Sequence, residues 1–376
     1  MAITPSPLDE IRRDVLTTFG FPDTAVPTLT MPPATPMSAT SPKVYLDTNH
    51  WISFAKARVG HADGVRHREC YESLLNATVS GQVCIVLSSA NYMELQLAVK
   101  GARQRTDLAD VMSELARFHA IRPRSQLLEA QVMQRLHDTI GRPTFPSRPE
   151  PFGLGFAWIF NGRSDRLGLD APPQALQVLF NEENGANTLL MLAQAQEMLE
   201  YMILRGSADG DPSDVPVLDL DPIRAAEIDR VQNFRNLEQK LAEDPKLVAR
   251  LDDILIAREL YLEIGPELGR LLYGAGLSID SFFYMGKDWL SDFVEGLPTI
   301  AVQLAVRDQN IRGASRPWKV NDQRDVDHLG VAVPYCDFTV TDKAAANAIR
   351  RAGLDQQFGH IVLDDLSSLV DLIRAI

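Results

Sequence analysis

Two short apolar runs indicate that the segment 43–100 forms part of a sheet. The runs are residues 44–46, which read Val-Tyr-Leu, and residues 83–87, which read Val-Cys-Ile-Val-Leu. Uninterrupted apolar runs of this length are typical of strands that are buried on both faces of a parallel sheet. Helical patterns are predicted at about 50–58, at 65–79 and from Ser88 onward. The resulting order, β-α-α-β-α, is typical of a parallel sheet with helical crossovers.

The same pattern returns near the end of the chain. Residues 338–340 and 360–363 are predicted strands, and polar residues that suit a helix N-terminus follow each of them. Helices are predicted at about 321–333, 341–351 and 364–373. We therefore predict an α/β fold in which the segments 43–100 and 315–376 together form one discontinuous domain, a parallel sheet flanked by helices.

Between these two segments the pattern is helical. Apolar residues recur with the helical period over four long stretches, at 186–203, 223–241, 248–272 and 279–306. We predict that residues 101–314 form a large, mainly α-helical insertion. Residues 1–42 contain eight of the 23 prolines. They are predicted to form a mostly disordered arm with one short helix near residues 8–19.

Composition adds a charge asymmetry to this picture. The 376 residues carry a net charge of −13, and residues 181–300 alone hold 23 acidic and 10 basic side chains. An acidic face disfavours contact with phosphates, so the insertion is a candidate surface for a protein partner. No apolar run approaches the roughly 18 residues that a membrane span needs. The N-terminus lacks a secretory pattern and the three cysteines are widely spaced, so we expect a cytoplasmic protein without membrane contact.

Four acidic residues are predicted at the edge of the sheet where the strands end. Asp47 and Asp342 directly follow predicted strands, Glu94 lies on the helix after the second strand, and Asp325 lies near the start of a helix. Ligands of open parallel sheets bind beyond this edge. Because clustered carboxylates repel one another, a divalent cation would stabilise the group. Oxygen ligands favour Mg²⁺ or Mn²⁺ over Zn²⁺.

Three segments resemble the motifs of PIN-domain nucleases. Residues 44–49, Val-Tyr-Leu-Asp-Thr-Asn, resemble the first motif, an apolar strand that ends in Asp-x-Asn. Residues 89–95 resemble the middle motif, whose Glu lies on the helix after the second strand. Residues 325–342 resemble the later motifs, which place one acid at a helix start and another after a strand that ends in Thr. The resemblance covers about 120 residues and excludes the arm and the insertion, which is far longer than in small members of the family.

The resemblance also implies roles for individual residues. Asp47, Asp325 and Asp342 would hold one or two metal ions, and Glu94 would ligate a second ion or position the attacking water. Asp325 is preferred as the third acid because its distance from Thr341 is similar to the usual spacing in the family; Asp327 is the runner-up, and Asp322 lies in the same segment. The residues expected to orient these carboxylates are Asn49, Thr341, Asp327 and Asp337. The implied activity is metal-dependent endonucleolytic hydrolysis of single-stranded RNA.

Two other functions compete with the nuclease. A PIN-like domain with an incomplete or closed site would serve as a binding or regulatory module. A phosphatase of another α/β class would need a nucleophilic Asp and a second Asp two residues later. Asn49 stands at that second position, which weakens the phosphatase hypothesis. The sequence leaves the existence of a homodimer open.

Overall fold

The computed structural model describes residues 28–30, 40–140, 149–163, 168–170, 175, 178, 181, 185–206, 221–313 and 317–376. Most of the predicted arm, including the helix near residues 8–19, lies outside these residues. The first described element is strand β1 (Thr28–Thr30), which pairs in antiparallel fashion with residues 168–170. Within the predicted arm, these three residues form a strand.

Short strands alternate with helices in the first part of the chain. The elements are β2 (Lys43–Leu46), α1 (Thr48–Arg58), a 3₁₀ helix (Ala62–His67), α2 (Arg68–Val79), β3 (Cys84–Val86), α3 (Ser89–Leu97), α4 (Ala102–Ala116), β4 (His119–Ile121), α5 (Arg124–Ile140), β5 (Phe152–Leu154), α6 (Gly155–Asn161) and β6 (Gly168–Asp170).

The middle of the chain is helical, and strands return at its end. The elements are α7 (Gly185–Arg205), α8 (Asp221–Glu243), a 3₁₀ helix (Pro245–Arg250), α9 (Leu251–Arg258), a π-helical segment (Glu259–Ile264), α10 (Gly265–Gly274), α11 (Ile279–Phe283), α12 (Lys287–Glu295), α13 (Pro298–Gly313), α14 (Val320–Tyr335), β7 (Phe338–Val340), α15 (Lys343–Arg351), α16 (Leu354–Phe358), β8 (Ile361–Leu363) and α17 (Leu366–Ala375).

The central feature is a four-stranded sheet in the order β3-β2-β7-β8. All three pairings are parallel, and Val44 lies opposite Ile85 on one side and Phe338 on the other. The predicted α/β class with a parallel sheet flanked by helices is confirmed. Because β2 and β7 are adjacent, the sheet unites two segments that lie far apart in the sequence.

Alternate residues of β2 face two different cores. Val44 and Leu46 pack in a core that contains residues of α1–α4, α6, α7 and α17. Tyr45 points to the opposite face and packs with α5 and α14. This alternation is the two-residue period of a strand covered on both faces, and it explains why the predicted strand is an unbroken apolar run.

The hydrophobic core continues across residue 100 without interruption. Helix α4 packs into the same core as β2 and β3. A parallel bridge between Leu87 and Ala120 then extends the sheet edge towards β4, which pairs in antiparallel fashion with β5. Farther along the chain, α8, α9 and α13 pack against α14–α16 in a further core. None of the described helices is long and apolar enough to cross a lipid bilayer.

Candidate functional site

Asp47 lies at the carboxyl end of β2, where the strand passes into helix α1. Its backbone N–H donates to the carbonyl of Val340 at 2.9 Å, which continues the pairing of β2 with β7 by one residue. The side chain is only 8% exposed. The backbone N–H groups of Thr48 and Asn49 interact with its carboxylate. The strand-to-helix turn therefore holds this carboxylate at the edge of the sheet, partly stabilised by the helix start.

Thr341 and Asp342 follow β7, the neighbouring strand. The Thr341 hydroxyl donates to Asp47 Oδ2 at 3.5 Å, so this buried side chain contacts a carboxylate in the manner that the resemblance implies. Asp342 begins helix α15, and its Oδ1 accepts hydrogen bonds from the N–H groups of Ala344 and Ala345 at 2.7 and 3.1 Å. Asp342 is thus both a helix cap and a member of the acidic edge.

Glu94 reaches the same edge from helix α3, which follows β3. The side chain is 7% exposed, and its Oε2 is buried without a hydrogen-bond partner among the described residues. A buried and unsatisfied carboxylate oxygen is costly unless a cation or donor satisfies it. Glu94 is therefore the acid of this group whose carboxylate most clearly lacks a partner, either a cation or a hydrogen-bond donor.

Burial and nearby negative charges raise the pKa values of three of these acids. Burial, together with the charge of Asp342, raises the pKa of Asp47 to about 6. Burial and the charge of Asp47 raise the pKa of Glu94 to about 7. Burial and the charges of Asp47, Glu94 and Asp342 raise the pKa of Asp325 to about 8. These shared electrostatic effects show that the acids lie close together, although the sequence separates them widely.

Asp325 and Asp327, the alternative third acid, lie on different faces of helix α14. Two residues correspond to about 200° of rotation around a helix, so their side chains point in nearly opposite directions. The carboxylate of Asp327 accepts hydrogen bonds from Arg230 at 2.7 and 2.8 Å. The side chain of Asp327 therefore faces Arg230 and points away from the acidic edge. It is neither a ligand at that edge nor a group that orients the ligands.

Two other predicted orienting residues lie elsewhere. Asp337 precedes β7 and accepts a hydrogen bond of 2.7 Å from the backbone N–H of Lys43, the first residue of β2. It therefore lies at the opposite end of β7 from Asp342, because the strand and Thr341 separate the two positions. Asn49 is exposed on α1, and its backbone N–H makes the interaction with Asp47. The sequence pattern identified these polar residues without fixing the direction of their side chains.

Four further residues contribute to the site and were not predicted. The Tyr45 hydroxyl contacts His328 Nδ1, and burial lowers the pKa of His328 to about 3, so this imidazole is neutral. Arg324, the neighbour of Asp325, forms a bidentate pair with Glu227 at 2.9 and 2.7 Å. The charge of Arg324 partly offsets the rise in the pKa of Glu94. No local signal in the sequence links Glu227 to this edge, because α8 reaches it only through tertiary packing.

The edge carries the right donors for a hard cation but no closed set of ligands. Within the described part of the chain, no three His, Cys, Asp or Glu side chains are close enough together to bind one metal ion as they stand. The residues that fit a cation are the oxygen donors Asp47, Glu94, Asp325 and Asp342, and the unsatisfied Oε2 of Glu94 supports this assignment. Small side-chain rotations would be needed to bring the carboxylates onto one ion.

Comparisons with known proteins add no relative to this description. No family model, no curated protein and no solved structure matches the chain.

Proposed function

We propose that the protein is a metal-dependent nuclease that hydrolyses phosphodiester bonds in single-stranded RNA. One observation carries this proposal: acids from distant parts of the chain meet where the parallel strands end, and burial and neighbouring negative charges raise the pKa values of Asp47, Glu94 and Asp325. Such an arrangement costs stability at neutral pH unless a cation is bound. The resemblance of the surrounding segments to PIN-domain motifs supports the choice of reaction and substrate.

Some of these residues would bind the metal ion, and others would orient the residues that bind it. Asp47, Asp325 and Asp342 would hold Mg²⁺ or Mn²⁺, with Glu94 as a further ligand or as the group that positions water. A bound metal of this type lowers the pKa of a coordinated water and stabilises charge on phosphoryl oxygens. The Thr341 hydroxyl holds Asp47 Oδ2. The neutral His328 contacts the buried Tyr45 hydroxyl.

Cleavage of a labelled single-stranded RNA tests the proposal. The wild-type protein should cleave with Mg²⁺ or Mn²⁺ and should be inactive in EDTA. Asp47→Asn and Asp325→Asn should lower the rate at least about 100-fold, since each removes a ligand charge. Asp229→Asn is the matched control, because Asp229 is an exposed carboxylate on α8. Equal activity in all three variants would assign the cleavage to a contaminant and contradict the proposal.

A binding module is the second candidate, and the lack of a closed set of ligands favours it. In that case wild type and Asp47→Asn would bind the same RNA with equal affinity, and neither would cleave it with any divalent metal. A phosphatase would instead release phosphate from a small monoester substrate. Parallel assays with RNA and with a phosphate monoester therefore separate the three functions.

A further inference from the structure

A cavity of about 490 Å³ lies beside the acidic edge. Its walls come from the start of α3, residues 122–125, and helices α6, α8 and α14. Two of its lining residues are neighbours of the acids in the sequence: Met93 precedes Glu94, and Arg324 precedes Asp325. The volume falls within the range of small-molecule sites in proteins. The cavity is thus large enough for one nucleotide and adjoins the proposed cleavage site.

Arginines dominate the charged wall of this cavity. Arg122, Arg124, Arg230 and Arg324 line it, against the two carboxylates of Glu227 and Asp327. Arg324 is paired with Glu227, and Arg230 with Asp327. Arg124 and Arg230 also share Glu263, which lies behind the wall. Farther in, Arg258 and Arg307 pair with Glu259 and Glu263. The whole group of six arginines and four carboxylates keeps an excess of two positive charges.

Arg122 is the arginine of the wall that is most available to a ligand. In the described part of the chain no carboxylate lies within ion-pair distance of it. Its guanidinium stacks on the ring of Trp158, 4.2 Å from the ring centroid. It donates to the carbonyls of Glu150 and Gly162 at 2.8 and 3.2 Å and to Gln126 Oε1 at 2.8 Å. These contacts fix the plane of the guanidinium without neutralising its charge. A preorganised arginine of this kind suits a phosphate group.

Other lining residues suit the remainder of a nucleotide. Phe160 and Ile223 provide apolar surface on α6 and α8. His328 is 4% exposed and lines the cavity from α14, and its buried Nε2 has no hydrogen-bond partner among the described residues. Ser89, the first residue of α3, brings backbone N–H groups of a helix start to the wall. The cavity therefore combines an anion site with apolar surface and an unsatisfied polar group.

We propose that this cavity binds a nucleotide of the substrate next to the cleaved bond, with its phosphate at Arg122 and its base or sugar against Phe160 and Ile223. This inference rests on the proposed nuclease function for the identity of the larger substrate. The binding chemistry itself is independent of any metal, so the two can be tested separately.

Calorimetric titration in EDTA tests the cavity alone. The probes are the four nucleoside 5′-monophosphates and inorganic phosphate. At least one nucleotide should bind to the wild type, and Arg122→Gln should weaken that binding about tenfold or more. Arg103→Gln is the control, because Arg103 is exposed on α4, and it should bind as the wild type does. Ile223→Glu, a change at a partly exposed site that places a carboxylate in the cavity, should weaken binding without altering the melting temperature greatly.

The outcomes separate this inference from the nuclease proposal. No nucleotide binding to the wild type, or equal losses in Arg122→Gln and Arg103→Gln, would overturn the nucleotide site. Inorganic phosphate binding as tightly as every nucleotide would reduce it to a simple anion site and would also overturn it. Nucleotide binding through Arg122 without any RNA cleavage would support the cavity while refuting the nuclease.

If RNA is cleaved, a second measurement locates the nucleotide. Single phosphates of the RNA are replaced one at a time by uncharged methylphosphonates. Cleavage by the wild type should fall at one position next to the cleaved bond, and Arg122→Gln should lose that sensitivity. An unchanged pattern of sensitivity in Arg122→Gln would show that Arg122 does not contact the substrate phosphate.

Discussion

At the scale of single residues, the acidic edge stores unfavourable electrostatic energy. A pKa of about 8 for Asp325 means that its ionised form is strongly disfavoured in the folded protein. The ordinary pKa of an aspartate is about 3.9. Between these two values the folded protein retains a proton that the unfolded chain releases. Its stability therefore falls as the pH rises from about 4 to about 8, in the absence of metal.

Asp325→Asn should remove this contribution. The variant is expected to gain stability relative to the wild type as the pH rises from 5 to 8. Each kcal/mol gained in the free energy of unfolding should raise the melting temperature by about 2–4 °C. Melting curves in EDTA at several pH values measure the difference. Burial lowers the pKa of His119 and His328, which gives an opposite slope, but both histidines are present in both proteins and cancel in the comparison. A difference that does not change with pH would contradict the raised pKa of Asp325.

Metal binding should act on the same carboxylates with the opposite sign. At pH 8, Mg²⁺ or Mn²⁺ at about 100 times its Kd should stabilise the wild type by about 2.7 kcal/mol. The effect should be smaller at pH 5, where protons compete for Asp47, Glu94 and Asp325. Asp47→Asn should lose most of it, and Asp229→Asn should retain it. Equal stabilisation of both variants would place the metal elsewhere on the protein.

At the scale of secondary-structure elements, two faces of helix α14 lie in different electrostatic environments. Asp325 faces the other acids, whereas Asp327 lies against Arg230 and Arg124 at 2.7 and 3.6 Å. One helix thereby joins the acidic edge to the positively charged wall of the cavity. The same chemical change at two positions on this helix should consequently have opposite effects on stability.

Asp327→Asn should destabilise the protein, in contrast to Asp325→Asn. It would leave Arg230 with one fewer charged partner in a partly buried position, and the loss of one member of a buried pair costs about 3–5 kcal/mol. Because Glu263 still binds Arg230, the lower end of this range is expected. Urea unfolding of both variants at pH 8 in EDTA measures the contrast. Stabilisation by Asp327→Asn would show that the interpretation of this ion pair is wrong.

The sequence predicted elements whose pattern is local and missed those that depend on packing. Strands β2, β3, β7 and β8 lie within or near their predicted positions, because each is rich in apolar and β-branched residues. β2, β3 and β7 are buried on both faces, whereas Ile361 in β8 is 40% exposed. Strands β4 and β5 were missed, because His119 in β4 and Gly153 in β5 leave no continuous apolar run to indicate a strand.

Long helical stretches show the same limit. The stretch predicted at 279–306 is three helices, and Gly286, with φ of +88°, interrupts it in a conformation that only glycine adopts easily. The stretch predicted at 248–272 contains the π-helical segment, whose extra residue is stabilised by tertiary contacts of Glu259 and Glu263. In the site, the pattern placed Asp337 near the acids because it could not show at which edge of the sheet the residue lies.

At the scale of the whole molecule, part of the acidity of residues 181–300 is internal. Glu227, Glu259 and Glu263 each pair with arginines in the interior. Arg307 on α13 and Glu259 in the π-helical segment have no exposed side-chain surface, and they contact each other. These pairs join helices of the predicted insertion to one another, and the pair of Glu227 with Arg324 joins them to α14. The negative surface available to a protein partner is therefore smaller than the composition predicts.

Arg307→Ala should weaken the packing between α13 and the π-helical segment. The change leaves Glu259 and Glu263 buried with one fewer cation, and it should lower the free energy of unfolding by about 3 kcal/mol or more. Arg312→Ala is the control on the same helix, since its pairs with Asp308 and Asp252 are exposed and should contribute about 1 kcal/mol or less. Hydrogen exchange should accelerate in residues 251–264 in the first variant only. Equal exchange in both variants would show that the buried pair does not fasten these helices.

The pairing of β2 with β7 also has a consequence for the newly made chain. The hydrogen bond from Thr341 to Asp47 joins residues 294 positions apart. At about 5–20 residues per second, ribosomes would need about 15–60 s to add the second residue after the first. During that interval Asp47 and Glu94 exist without Asp325 and Asp342. Any chemistry that needs all four acids of this edge is consequently withheld until the ribosome has added Asp342.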